Sequence, residues 1–260
     1  MTSDPLDLTG RLILLSGGAG ALGAAISATL IEHGADVVIA DIAVEDPPDA
    51  AAGPRRLDVK ADCADPAEVA TLLDRCETSF GGLPDTVALH AGSVTSHPVE
   101  EYPVAEFDSV FRTNVRSSFV LAQAITQRWI AAGLHGSLIF TTSWVEDVPW
   151  PGIAPYSATK AAIRSLMRSF ARELAPNGIR ANALAPGIVA AGLAQRQWDT
   201  EPEYRARASK AIPIGYLQPA QSVADAFLFL ASPLAAYMTG STLLVDGGCS
   251  LYPMDEAEQA

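Results

Sequence analysis

Ser16-Gly17-Gly18-Ala19-Gly20-Ala21-Leu22-Gly23 stands between a short apolar run, Leu12 to Ser16, and a stretch with helical spacing from about Leu22 to His33. Gly18, Gly20 and Gly23 satisfy G-x-G-x-x-G. Glycine there permits a tight turn and lets backbone N–H groups approach a pyrophosphate at a helix N-terminus, where the dipole favours negative charge. Alone the motif is weak, because Gly-rich turns are common; its strand–turn–helix setting strengthens it. So does the acid ending the next apolar run, Asp36 to Asp41. A carboxylate at Asp41 can accept hydrogen bonds from adenosine ribose hydroxyls and repel a 2′-phosphate. Gly18, Ala19 and Ile42 offer no cation for such a phosphate, so the stretch points to NAD. The plainer reading of Asp41 is a loop cap at a strand end.

Outward from this turn, apolar runs and helical stretches alternate. Strands are expected at Leu12 to Ser16, Asp36 to Asp41, Arg56 to Asp62, Thr86 to His90, Ser137 to Thr142, Ile179 to Ala185 and Thr242 to Asp246. Helices are expected at Ala67 to Phe80, about Phe107 to Ala132, Tyr156 to Leu174 and Val223 to Ala231, with Asn177-Gly178 as a stop. The stretch Glu45 to Pro54 is too broken by proline for a good helix, and 187–213 has mixed helical signal. The continuous apolar strands imply burial on both faces. The fold expected is α/β: one Rossmann-like, doubly wound domain over 1–260, a mostly parallel seven-stranded sheet with helices on both faces.

Composition narrows the function classes. With 49% hydrophobic and 18% charged residues, disorder is not expected. No apolar run reaches the roughly 20 residues of a membrane span, and Met1 to Asp7 has two acids and no base, unlike a secretory signal. A cytoplasmic protein is expected. A net charge of −13 without a basic run argues against nucleic acid as a partner. Cys63, Cys76 and Cys249 form no CxxC and are expected as reduced thiols; the four histidines have no metal-ligand spacing, so no metal is expected.

Tyr156-Ser157-Ala158-Thr159-Lys160 opens a helix, and positions i and i+4 share a helical face. A cation at about 4 Å, with an effective dielectric of about 20, contributes roughly 4 kcal/mol, or about three pKa units. The pair is thus expected to bring the phenol near neutral pH for general acid–base work. Ser143 follows the fifth strand at the carboxyl edge, where open α/β sheets bind ligands, and its hydroxyl can donate to a substrate oxygen.

Taken together, these residues resemble the short-chain dehydrogenase/reductase family, over essentially the whole chain. The resemblance implies a catalytic set of Ser143, Tyr156 and Lys160 joined by Asn114, which in the family helps hold a water-linked proton relay to the lysine. It implies that Asp62, with Cys63 beside it, meets the adenine amino group. It places His90-Ala91-Gly92 where Asn-Ala-Gly is usual, Pro186-Gly187-Ile188-Val189 on the nicotinamide side, and Asp246-Gly247-Gly248 at the usual ending. The chain departs from the common G-x-x-x-G-x-G turn, with Ala21 between Gly17 and Gly23, from Asn at His90, and from a carboxamide-binding Thr at Ala191. The cofactor set implied is Gly17, Gly18, Gly20, Ala21, Leu22, Gly23, Asp41, Ile42, Asp62, Cys63, His90, Ala91, Gly92, Tyr156, Lys160, Pro186, Gly187 and Val189.

Two stretches, 143–156 and 212–253, look like the glucose 1-dehydrogenase branch, which implies oxidation of an aldose at C1 to a lactone. Glu146 and Asp147 can then bind sugar hydroxyls, and Trp144 or Trp150 can stack on the sugar face; solvated acids and packing tryptophans are the plainer reading. Ser143, Val145, Glu146 and Trp150 are the substrate candidates, with Val145 standing where the branch has histidine. The helices from Phe107 and from Tyr156 carry more apolar surface than one core face needs, which points to a homodimer face unless all of it is buried within the monomer; the resemblance implies a homotetramer in which 248–253 meets a neighbour, and 187–213 is the expected substrate loop. Two alternatives stay open: a 3-oxoacyl or other ketone reductase, and a dinucleotide-binding sensor without turnover.

Overall fold

A computed structural model describes residues 4–45 and 55–251. The seven strands are β1 (Leu12–Ser16), β2 (Asp36–Asp41), β3 (Arg56–Lys60), β4 (Thr86–Leu89), β5 (Gly136–Thr141), β6 (Ile179–Pro186) and β7 (Thr242–Val245). They form one sheet in the order β3-β2-β1-β4-β5-β6-β7, and every pairing is parallel. The sheet expected as mostly parallel is wholly so. The stretch Glu45 to Pro54, read as too broken by proline for a good helix, lies from residue 46 onward outside the described residues, as does the end of the expected 248–253 oligomer segment.

Alternate residues of each strand feed opposite cores, as the strand period of two requires. Leu14 faces the side covered by α2 (Pro66–Phe80), α4 (Ser117–Ala132) and α5 (Ala154–Leu174). Ile13 and Leu15 face the side covered by α1 (Ala21–Glu32) and α8 (Ala220–Ala231). Asp65 caps α2 by accepting from the N–H groups of Ala67 and Glu68, and Gly81 ends it in the left-handed region. Gly178, at φ +72°, closes the turn after α5, as the Asn177-Gly178 pair anticipates.

Two features were not legible as elements. The helix expected over Phe107 to Ala132 is α3 (Val104–Phe111) and α4 joined by a π turn, Arg112–Arg116, which carries Asn114. Such turns widen the helix and re-aim its side chains. The mixed segment after β6 is two short helices, α6 (Gly192–Thr200) and α7 (Pro202–Ala211). They close a third apolar cluster with Trp144, Val145, Ile188 and Tyr204, which caps the carboxyl end of the sheet. The chain winds β1-β2-β3 to one side and β4-β5-β6-β7 to the other, so a crevice opens between the ends of β1 and β4. No helix of the described residues is long and apolar enough to cross a membrane.

Candidate active site

A cavity of about 730 Å³ occupies that crevice, a size typical of a small-molecule site. At its floor, the turn after β1 is fixed by close backbone approach. A Cβ at Gly17 would lie 2.6 Å from Ala91 Cα, one at Gly18 2.6 Å from the Ile39 side chain, and one at Gly23 2.6 Å from Gly17 O. Gly20 is different: nothing lies within 4 Å of its Cβ position, and the residue lines the cavity. Gly18 serves packing against β2 and does not line the cavity, while Gly17, Gly20, Ala21, Leu22 and Gly23 do.

No side chain caps the N-terminus of α1, which leaves its first N–H groups and the positive end of its dipole directed at this space. Ser16, the last residue of β1, donates to Ala88 O and accepts from the N–H groups of His90 and Ala91. It thereby bolts the 90–92 segment to the turn. Asp41 accepts from the N–H groups of Ala19 (3.0 Å) and Ala43 (2.9 Å), and its carboxylate lines the cavity beside Ile42. The loop-cap reading and the ligand reading of Asp41 therefore coexist. Asp62 pairs with Arg112 at 2.8 Å and accepts from Ala64 N. Burial pushes this carboxyl up, but Arg112 and the Ala64 amide outweigh it and hold it below the usual range. An uncapped helix end, a glycine-floored cradle and two acids at the ends of β2 and β3 suit a dinucleotide with its pyrophosphate on α1.

At the other side of the cavity, Ser143, Tyr156 and Lys160 come together. Ser143 stands just past β5 at the head of a 3₁₀ turn, and Tyr156 and Lys160 lie in the first turns of α5. Lys160 Nζ is buried, donates to Thr141 O at 2.8 Å, and sits 5.3 Å from the centre of the Tyr156 ring. The i, i+4 spacing thus brings the ammonium over the ring face.

The expectation that this cation brings the phenol near neutral pH is not met. Burial pushes Tyr156 up to about 12, while the Ser143 hydroxyl, hydrogen-bonded to it, pulls the other way. Burial likewise lowers Lys160 to about 8, opposed by Glu146. Desolvation thus outweighs the pull of Ser143 on the phenol, and the Lys160 ammonium is directed to the strand-end carbonyl of Thr141. His90 donates or accepts at Thr141 Oγ1 (3.1 Å), and burial, with Lys160 nearby, lowers its imidazole to about 4.

Asn114 does not line the cavity. Its carboxamide accepts from Ser93 N (2.7 Å) and donates to Ser93 O and Thr159 Oγ1, and its carbonyl accepts from Ser118 Oγ. The side chain ties the 92–94 segment to α5.

Glu146 corrects the substrate reading. The 3₁₀ turn Trp144–Glu146 directs its carboxylate away from the cavity to Arg164 (3.1 Å), which Asp147 also binds. Val145 and Trp150 do line the cavity, with Trp144 edge-on to Trp150 at 5.5 Å and Tyr204 beyond at 6.2 Å. Pro186, Gly187 and Val189, with Cys63 and Gly92, complete the expected lining. Sequence reasoning missed Arg112, Val94, Gln197 and Tyr204, which arrive from a π turn, a loop and the α6–α7 cap.

The family model described as an enoyl-(acyl carrier protein) reductase matches residues 17–250. A 3β-hydroxysteroid dehydrogenase of Eggerthella lenta is 33% identical over 95% of this chain and 96% of its own. A glucose 1-dehydrogenase of Gluconobacter oxydans is 30% identical over 94% of this chain and 93% of its own. Among solved structures, a gluconate 5-dehydrogenase from Burkholderia cenocepacia, in complex with NADP and tartrate, superposes with a TM-score of 0.85 at 29% identity, covering 96% of this chain and 98% of its own.

Proposed function

Because this chain belongs to the short-chain dehydrogenase/reductase family and its relatives are dehydrogenases acting on CH–OH groups, we propose that it is an NAD-dependent enzyme acting on a ring-borne secondary alcohol or the matching carbonyl. The observation that carries this reading is the meeting of Ser143, Tyr156 and Lys160 in one cavity with an uncapped helix end and Asp41. The dinucleotide, when bound there, would accept or supply the hydride. Ser143 holds the substrate oxygen, and Tyr156 Oη exchanges the proton with it. Tyr156 Oη donates as the phenol in carbonyl reduction and accepts the hydroxyl proton as the phenolate in oxidation; burial, which pushes its pKa up to about 12, favours the phenol and so the acid role. Lys160 holds positive charge at the floor of the site, and Asn114 positions the 92–94 segment.

Asp41 supports NAD, since a 2′-phosphate would meet a carboxylate with Ile42 beside it. The NADP of the Burkholderia structure is a feature of that protein. For the substrate, the sequence reading is a sugar or polyol oxidised at C1, supported by the Gluconobacter relative and by Trp150 in the cavity wall. The hydroxysteroid relative supports an apolar ring instead, and a ring CH–OH is common to both. An acyl reductase has the support of the family model's description, against which the turn lacks basic residues. A cytoplasmic homotetramer fits three buried free thiols and the exposed apolar Phe119 and Ile130 on α4 and Leu244 on edge strand β7.

The test is a screen of NAD and NADP with aldoses, polyols, cyclic alcohols and 3-hydroxyacyl compounds, read by reduced-nicotinamide absorbance. Turnover with NAD supports the proposal. A melting temperature raised by NAD without turnover on any class would make the chain a sensor.

A further inference from the structure

The adenosine half of a dinucleotide has one way to run in this cavity. With the pyrophosphate on α1 and the reacting ring beside Tyr156 and Lys160, the other half lies over the ends of β2 and β3, its ribose at Asp41. The base is bonded to that ribose. Around it the cavity is lined by Ile42, Ala61, Asp62, Cys63 and Arg112. Ala61 N donates to Asp41 O at 3.2 Å, so the end of β3 lies directly beside the ribose acid.

Arg112 reaches this place from a different element. It opens the π turn Arg112–Arg116 between α3 and α4, and its guanidinium meets Asp62 Oδ2 at 2.8 Å. The carboxylate that receives it is itself fixed, since Asp62 Oδ1 accepts from Ala64 N and Asp62 N donates to Glu68 Oε2. Arg116, at the far end of the turn, donates to Ala64 O at 2.9 Å and ties the turn to the same loop. Held in this way, the Arg112 side chain is still 52% exposed, in the wall of the cavity.

The rings lining the cavity are gathered elsewhere. Trp144, Trp150, Tyr156 and Tyr204 belong to the cluster that caps the catalytic end, and His90 is edge-on to Phe227 and bonded to Thr141. Among the described residues lining the adenosine end, Arg112 is the one cation and the one extended planar group. A guanidinium is planar and weakly hydrated, and it lies on the face of a ring as a compact ammonium does not. The Asp62 contact orders that plane before a base arrives, so little side-chain freedom is left to lose on binding.

We infer that Arg112 holds the adenine of the dinucleotide, laying its guanidinium plane on the ring face while Asp62 keeps it in place. The inference rests on the dinucleotide reading above and assigns the face of the base, whereas the resemblance assigns Asp62 only its amino edge.

The experiment measures Kd by calorimetry on the whole chain for NAD, for ADP-ribose, which lacks the nicotinamide, and for etheno-NAD, whose amino edge is closed into a further ring. Arg112→Met keeps an unbranched stem but removes the plane and the charge, and should raise all three Kd values by about fivefold to tenfold. Arg112→Lys keeps a cation for Asp62 without the plane. Its Tm should match the parent's, while its Kd for NAD stays at least about threefold higher. A lysine variant that binds NAD as the parent does would make Arg112 a tether for Asp62 and overturn the inference. So would an unchanged Kd in Arg112→Met, or a loss for NAD that etheno-NAD does not share, which would move Arg112 to the edge of the base. A parent chain that gives neither heat nor a Tm shift with NAD would overturn the dinucleotide reading itself.

Discussion

Gly20 and Gly23 lie three residues apart in the same turn, and the structure gives an added methyl opposite consequences at the two. In Gly23→Ala, the new Cβ falls 2.6 Å from both Gly17 O and Gly18 Cα, far inside the 3.4 Å at which ordinary contact begins. The atoms it meets are backbone, so no side chain can rotate away. Overpacking of this kind costs about 1–3 kcal/mol, which for a domain of this size lowers Tm by roughly 2–12 °C. In Gly20→Ala, the Cβ has nothing within 4 Å. Gly20 is the N-cap of α1 with φ −72°, so alanine there costs at most about 1 kcal/mol. Its methyl, however, stands in the cradle at the uncapped helix end, and NAD affinity is expected to fall at least about tenfold. Thermal unfolding with and without NAD separates the cases. At NAD equal to about 100 Kd of the parent, binding adds about 2.7 kcal/mol to the parent and, after a tenfold loss, about 1.4 kcal/mol. The expected pattern is a low Tm without NAD for Gly23→Ala, and a near-parental Tm with a halved NAD shift for Gly20→Ala. A Gly20→Ala protein that binds NAD as the parent does, or a Gly23→Ala protein of parental Tm, would refute the assignment of the turn.

Other outcomes follow from the same geometry. His90 is held at about 4 by burial and Lys160, against about 6.5 unfolded; its stabilising contribution is full above pH 6.5 and is lost as pH falls through about 4. That slope, about 2 kcal/mol for a ring partly open to the cavity, should vanish in His90→Asn when urea unfolding is followed from pH 7 to pH 4. Arg164→Ala strands the buried Glu146 carboxylate and should cost about 3–5 kcal/mol. Glu146→Gln should leave substrate KM within about twofold, and a tenfold rise would return that residue to the substrate site. Pairing Asp41→Ser with Ile42→Arg should move the NAD-to-NADP ratio of kcat/KM toward NADP by at least about tenfold.

Much of the frame was legible because it is written in short-range chemistry. The glycine turn, the apolar runs and the stop at Asn177-Gly178 each declare themselves within a few residues. Tyr156 and Lys160 were legible for the same reason, one helical turn apart. What escaped depends on partners distant in sequence. Arg112 meets Asp62 across the sheet edge, and Glu146 follows Arg164 out of the cavity. Tyr204 reaches the cavity only once α6 and α7 fold over it. The direction of the phenol's pKa was not legible because a charge at i+4 can be read from spacing, while burial of the ring cannot. The π turn left no trace in the periodicity, although it decides where Asn114 and Arg112 point.

The proton-transfer role of Tyr156 is tested most directly by Tyr156→Phe, measured for NAD affinity and for turnover on the best alcohol found. Loss of one hydroxyl from a buried ring should leave NAD binding within about threefold and lower kcat by about a thousandfold, within the range acid–base catalysis supplies. A variant that binds NAD normally and turns over within tenfold of the parent would contradict the account.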